Sequence, residues 1–85
     1  MKRSFSKFVE RLEAADLHAK VEARALKFHV TLRELYEGPH LAPSINTARR
    51  SIYLWLIGEG KGLNEVARLF DRAPSGVVKL TKEKS

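Results

Sequence analysis

The 85-residue sequence predicts an all-α fold, a small helical bundle ending in a helix-turn-helix, and three observations carry that reading. Apolar residues recur at helical spacing through most of the chain, and no segment alternates with period two for long enough to read as a strand. Thr31 and Glu34 stand three apart, the spacing of a capping box. Finally, Leu63–Leu80 is spaced around Ala67 as two crossing helices require: Val66 just before it, Phe70 three after, Val77 ten after and Leu80 thirteen after. A small residue is needed at that crossing because the second helix packs close over the first.

The elements follow in order. Ser4 or Ser6 is placed to cap a first helix running to about Phe28. Phe5, Phe8, Val9 and Leu12 form one apolar stripe, and Leu17, Val21, Ala25 and Phe28 form a second. The step from Leu12 to Leu17 rotates the stripe, so the helix bends near Asp16 or breaks in two. Thr31 then opens a short helix that ends at Gly38-Pro39, and Pro39–Ser44 reads as a loop held by two prolines. Ser44 or Asn46 caps the next helix, which carries Ile45, Ala48, Ile52 and Leu56 on one face. Tyr53, Leu54 and Trp55 widen that band, which marks a mostly buried central helix. Gly58–Gly62 ends it and leads into the helix-turn-helix, in which Asp71 fills a turn position that tolerates the left-handed region. Thr81–Ser85 reads as a tail. Five or six helices result, with residues 1–29 a helical segment leading into or packing on the domain of residues 30–85. Ile52, Leu56, Leu63, Val66, Phe70, Val77 and Leu80 are expected to be buried together.

Composition narrows the function classes. Sixteen Lys and Arg against ten Asp and Glu give a net charge of +6. Residues 1–43 hold eight basic and six acidic residues (+2), and residues 44–85 hold eight and four (+4), so the excess lies with the helix-turn-helix. A basic helical domain is drawn to polyanions. The absence of cysteine excludes a disulfide scaffold and a thiolate zinc site. His18, His29 and His40 stand eleven apart, which is no metal-ligand spacing and fits surface or boundary positions. No cofactor is implied. No apolar run reaches the roughly 18 residues of a spanning helix, and no apolar stretch of signal-peptide type follows Met1–Ser4. A cytoplasmic location is the expectation, nucleoid-associated if the chain is bacterial.

By residue pattern, Val30–Lys82 resembles the C-terminal DNA-binding domain of the bacterial replication initiator DnaA, a Trp-repressor-like fold. Thr31–Tyr36 resembles the short helix that opens that domain, Ala48-Arg49 with Ile52–Leu54 its long central helix, and Gly62–Phe70 the helix that follows. Phe8–Ala15 resembles the segment preceding the same domain in transposases associated with repetitive extragenic palindromes, and this likeness spans nearly the whole chain. The resemblance implies a double-stranded DNA-binding module, either a small protein, with homodimerisation open to it, or the accessory domain of a larger catalytic chain. Departures fall on the base-reading positions. Where the DnaA pattern has Arg-Asp-His-Thr-Thr, this chain has Arg72-Ala73-Pro74-Ser75-Gly76, so the implied binding is general or differently specific. The transposase chemistry is missing, since His29-Val30-Thr31 lacks the second histidine of a metal pair.

The candidate DNA contacts are Arg49, Arg50, Lys61, Asn64, Arg72, Ser75, Gly76, Lys79 and Lys82. Pro74 suits the first turn of a helix, where a missing N–H costs nothing. Small residues just after it let the helix end approach a phosphate. Lys79 lies one turn beyond Ser75, within reach of guanine acceptors. Arg49 and Arg50 read equally as phosphate contacts or as ion-pair partners of Glu34 or Glu37. Tyr36, Tyr53 and Trp55 read as packing residues. Clustered nucleophile, acidic pair and Walker-type loop are all absent, so no enzymatic role is expected. The alternative from a different class is a protein-interaction domain that uses the same fold without DNA.

Overall fold

Wherever an apolar stripe comes to an end, the backbone turns. The computed structural model describes residues 5–39 and 42–82, and six helices follow one another in it: α1 (Phe5–Ala14), α2 (His18–Leu26), α3 (Leu32–Glu37), α4 (Pro43–Gly58), α5 (Leu63–Leu69) and α6 (Pro74–Lys82). No described residue belongs to a strand. The expected break falls at Ala15–Leu17, where Asp16 adopts a φ of 58°.

Four helix ends close the same way. The amide of Leu17 donates to the Leu12 carbonyl, Val30 to Ala25, Lys61 to Leu56 and Arg72 to Ala67, at 2.8–3.1 Å. In each, the preceding residue is left-handed: Asp16, His29, Gly60 and Asp71. This six-residue closure satisfies carbonyls that a helix terminus otherwise leaves orphaned. Glycine holds that position only once. The other three place Asp or His in the left-handed region, where short polar side chains are tolerated best.

The N-termini agree less uniformly with expectation. The Thr31 hydroxyl accepts from the Glu34 amide at 3.1 Å, and the Glu34 carboxylate accepts from the Thr31 amide at 3.0 Å, completing the capping box. Neither Ser44 nor Asn46 caps α4: the helix starts earlier, with Pro43 in its first turn and Ala42 as an N-cap that makes no side-chain bond. Ser6 lies inside α1, and Ser4 lies outside the described residues, as does His40. Thr81 and Lys82 belong to α6 rather than to a tail, with the Thr81 hydroxyl donating to the Val77 carbonyl at 3.0 Å.

Helix α4 is the axis of the bundle. At 1.5 Å per residue its sixteen residues span about 24 Å. Helices α2 and α3 pack on it, as do α5 and α6, while α1 crosses α3 and α5. One core results, running from Phe8, Leu12 and Val21 through Leu35, Ile52 and Leu56 to Val66, Phe70 and Val77. The N-terminal segment is thus part of the same core as the rest. Aromatic rings join its halves: Phe8 stacks on Tyr36 with centroids 4.5 Å apart and meets Phe70 at 5.2 Å, and Tyr53 meets Phe70 edge-on at 5.0 Å.

Ile52, Leu56, Val66, Phe70 and Val77 are buried as the spacing predicts, and Leu80 is partly so. Leu63 is not: it shares their face by spacing but is 41% exposed, because it stands at the first position of α5. Leu54 also faces out, whereas Trp55 is half-buried beneath the Arg24 guanidinium, 4.1 Å from the ring centroid. Gly38 is required by space. A Cβ there would collide with the Glu34 carbonyl oxygen and with Ile45 Cδ1.

Phe70 joins α1, α4 and the helix-turn-helix in one contact and is 1% exposed. Phe70→Ala is expected to cost about 3–5 kcal/mol, read as a lowered urea midpoint by circular dichroism.

Candidate nucleic-acid interface

The final two helices form the helix-turn-helix pair, joined by Phe70–Ala73. Ala67 is buried at their crossing, as the spacing around it requires. Val77 anchors α6 to the core, and Leu80 packs against it from the rim. Ser75, Gly76, Lys79 and Lys82 are exposed. Successive residues are rotated by 100°, so these four fall on one side of α6. Helix α6 contains no carboxylate. Pro74 is its first residue, as expected for a position whose N–H has no helical partner.

Around α6 the candidate set divides. Asn64 is exposed on α5, and Arg68, which the sequence reading passed over, is exposed on the same helix. Lys61 is partly exposed and pairs with Glu65, its Nζ 3.5 Å from Oε2. Arg50 is half-buried, with its Nε enclosed and without a hydrogen-bond partner among the described residues. It lies one turn before Tyr53, on the flank of α4 that meets Phe70.

Arg49 and Arg72 are turned to other work. Arg49 is 3% exposed. Its Nε donates to the Leu35 carbonyl at 2.8 Å, one terminal nitrogen to the Gly38 carbonyl at 2.6 Å, and the other to Asn46 Oδ1 at 3.1 Å and the Pro39 carbonyl at 3.4 Å. The neighbouring Arg72 donates to the Tyr36 carbonyl at 2.9 Å. Both guanidiniums therefore sit at the C-terminal end of α3, where carbonyls lack helical partners and the helix dipole is negative. Glu37 pairs with Arg33, one turn before it on the same helix, at 3.2 Å. Arg49 leaves the set of surface contacts, and Arg72 is half-buried with its guanidinium on the Tyr36 carbonyl.

The turn is gripped from a third direction. The Tyr36 hydroxyl donates to Asp71 Oδ2 at 3.2 Å, and Arg11 Nε of α1 donates to the Leu69 carbonyl at 3.3 Å. Helices α1 and α3 thus hold both sides of the turn that aims α6. Sequence reasoning missed this, since Tyr36 and Asp71 are 35 residues apart. Burial pushes the Tyr36 phenol above its ordinary value, and the Asp71 carboxylate adds to that shift against the opposing Arg11 guanidinium.

Among the described residues no group of His, Cys, Asp and Glu could hold a metal, and no helix is long and apolar enough to cross a membrane. Comparison with known protein families, curated proteins and solved structures returns no match.

Two stability tests follow from the grips on α3 and the turn. Arg49→Met leaves the buried Leu35 carbonyl without its donor, while the part-buried Gly38 and Pro39 carbonyls can turn to water, and is expected to cost about 1–3 kcal/mol in denaturant unfolding. Arg49→Lys should recover only part of this, because an ammonium cannot reproduce the planar fork. For Tyr36, the folded-state phenol holds its proton to higher pH than the unfolded one, so its contribution is full below the ordinary phenol value near 10 and is lost as pH rises through the folded value. Wild-type stability should therefore fall more steeply above pH 10 than that of Tyr36→Phe, compared by urea titrations across that range.

Proposed function

We propose that this chain is a double-stranded DNA-binding module whose α6 enters the major groove. One observation carries the reading: the exposed side of α6 offers Ser75, Gly76, Lys79 and Lys82 with no carboxylate among them, while Val77 seats the helix on a rigid core. A recognition helix needs that combination of a fixed back and a basic, unobstructed front. The net charge of +6 and the resemblance to DnaA-type domains support it. Arg50, Lys61, Asn64 and Arg68 are the auxiliary contacts on α4, on α5 and between them. In this reading Lys79 reads a base edge, and the others hold phosphates.

The module acts in the cytoplasm on chromosomal DNA, as a small binding protein or as the accessory domain of a transposase-related chain. A protein-interaction role has one observation in its favour, the exposed side chains of Leu26, Leu54 and Leu63.

A salt titration separates the two. Duplex binding should have a Kd on the order of 10⁻⁶–10⁻⁴ M near physiological salt. With about four phosphates neutralised by α4, α5 and α6, these helices alone should contribute a slope of roughly −3.6 to the fall of log K against log salt. Affinity indifferent to salt, or absent at low salt, favours the protein-interaction role. Lys79→Ala should alter which sequences are preferred, by about 1–3 kcal/mol at one position. Arg50→Ala should weaken all duplexes alike and make the slope shallower by roughly one unit. Unchanged binding of Lys79→Ala on every sequence would remove α6 as the reader.

A further inference from the structure

Basic residues also line α2, a helix that packs on neither α5 nor α6. On α2 and its C-cap, Lys20, Arg24 and Lys27 stand at i, i+4 and i+7. With 100° per residue they fall within one narrow stripe. Lys20 and Lys27 are exposed, and Arg24 is half-buried, stacked over Trp55 of α4. The stacking matters because it removes rotamer freedom from the central cation before any ligand arrives. Glu22, the only carboxylate of α2, is rotated about 200° from Lys20 and lies off the stripe.

Two cations elsewhere pair with an acid one turn on, Arg33 with Glu37 and Lys61 with Glu65, whereas those of the α2 stripe, like Lys79 and Lys82 of α6, have none on their own helix face. These are the two ion pairs recorded among the described residues, and neither includes the stripe. Three like charges on adjacent turns repel one another. Their arrangement costs stability unless something anionic lies along them, and a regular line of negative charge is what a nucleic-acid backbone presents. Helices α2 and α6 both pack on α4 and not on each other, so the stripe is a surface separate from the recognition helix.

We infer that Lys20, Arg24 and Lys27 form a second contact surface for the phosphate backbone of duplex DNA. This rests on the duplex-binding reading above and adds to it a surface that reads no sequence. Phosphate contacts of this kind position a module without specifying bases. Arg24, braced on Trp55, sets the line, and the two lysines supply point charges on either side of it.

The test uses the full chain, a mixed-sequence duplex and fluorescence anisotropy over a series of KCl concentrations. Helix content by circular dichroism confirms that each variant is folded. Lys20→Gln with Lys27→Gln should weaken binding to every sequence equally and make the salt slope shallower by about 1.8, at about 0.9 per phosphate released. Sequence preference should stay as in the wild type. Lys7→Gln with Arg33→Gln removes the same formal charge from α1 and α3 and should change the slope by much less. An unchanged slope in the α2 variant, while Lys79→Gln with Lys82→Gln lowers it, overturns the second surface and leaves the recognition helix standing. An equal effect of the α1–α3 variant also overturns it, since net charge would then be the cause. No wild-type binding at low salt overturns both readings together.

Discussion

Helix α3 is six residues long, too short to satisfy its own carbonyls, and the rest of the structure is organised around that deficit. Its last turn ends in an extended Gly38 rather than a left-handed cap, so the closure used at the four other helix ends is missing there. Two arginines from distant parts of the chain fill the gap. Arg49 takes the carbonyls of Leu35, Gly38 and Pro39, and Arg72 takes that of Tyr36. Each bond also fixes a tertiary relation, the first tying α3 to α4 and the second tying α3 to the turn before α6. A charged donor on a buried carbonyl is stronger than a neutral one, about 1.5–3 kcal/mol against about 1. The orientation of α6 is therefore set by the end of a helix it hardly touches.

Tyr36 shows how economically one residue serves that arrangement. Its ring stacks on Phe8, its carbonyl accepts from Arg72, and its hydroxyl donates to Asp71 in the same turn. Asp71 is itself left-handed, so the residue that accepts this bond is also the one whose backbone reverses the chain. A glycine there would suit the backbone better and lose the grip. This explains why the turn carries Asp where helix-turn-helix units often place Gly.

Much of the fold could be read from the residues, because helical periodicity and a capping box act over a few positions. The stripe change at Asp16, the Thr31–Glu34 box, the Ala67 crossing and the Pro74 start are all local signals. What escaped was non-local, or used an unfamiliar residue for a familiar purpose. Asp16 and His29 occupy left-handed caps without announcing them as glycine would. Leu63 shares the apolar face of Val66, Ala67 and Phe70 but stands at the first residue of α5, and spacing does not reveal how far along a helix the core extends. At the site, Ser75, Gly76 and Lys79 lie on the exposed side of the helix as the pattern put them, because a helix face follows from spacing alone, whereas Lys82, read as tail, ends α6. Arg49 and Arg72 depart from the pattern, because nothing in a run of basic residues reveals which guanidinium will meet an orphaned carbonyl many residues away.

The chain also divides its cations by chemistry. Guanidiniums take the internal and stacked places: Arg49 and Arg72 at the end of α3, Arg11 on the Leu69 carbonyl, Arg24 over Trp55 and Arg33 over Phe5. Lysines are left mainly for the surface, with Lys20, Lys27, Lys79 and Lys82 all exposed. The division follows from hydration, since a guanidinium is weakly hydrated and planar whereas an ammonium holds its water strongly. It bears directly on the proposed function. Lysine meets a phosphate as a point charge, without the planar fork of arginine, and it can also reach the guanine acceptors. If the chain binds DNA as proposed, a surface that commits most of its arginines to architecture and presents mainly lysines, with Arg68 the exposed exception, suits phosphate contacts first. Base discrimination is then left to the few groups at the front of α6.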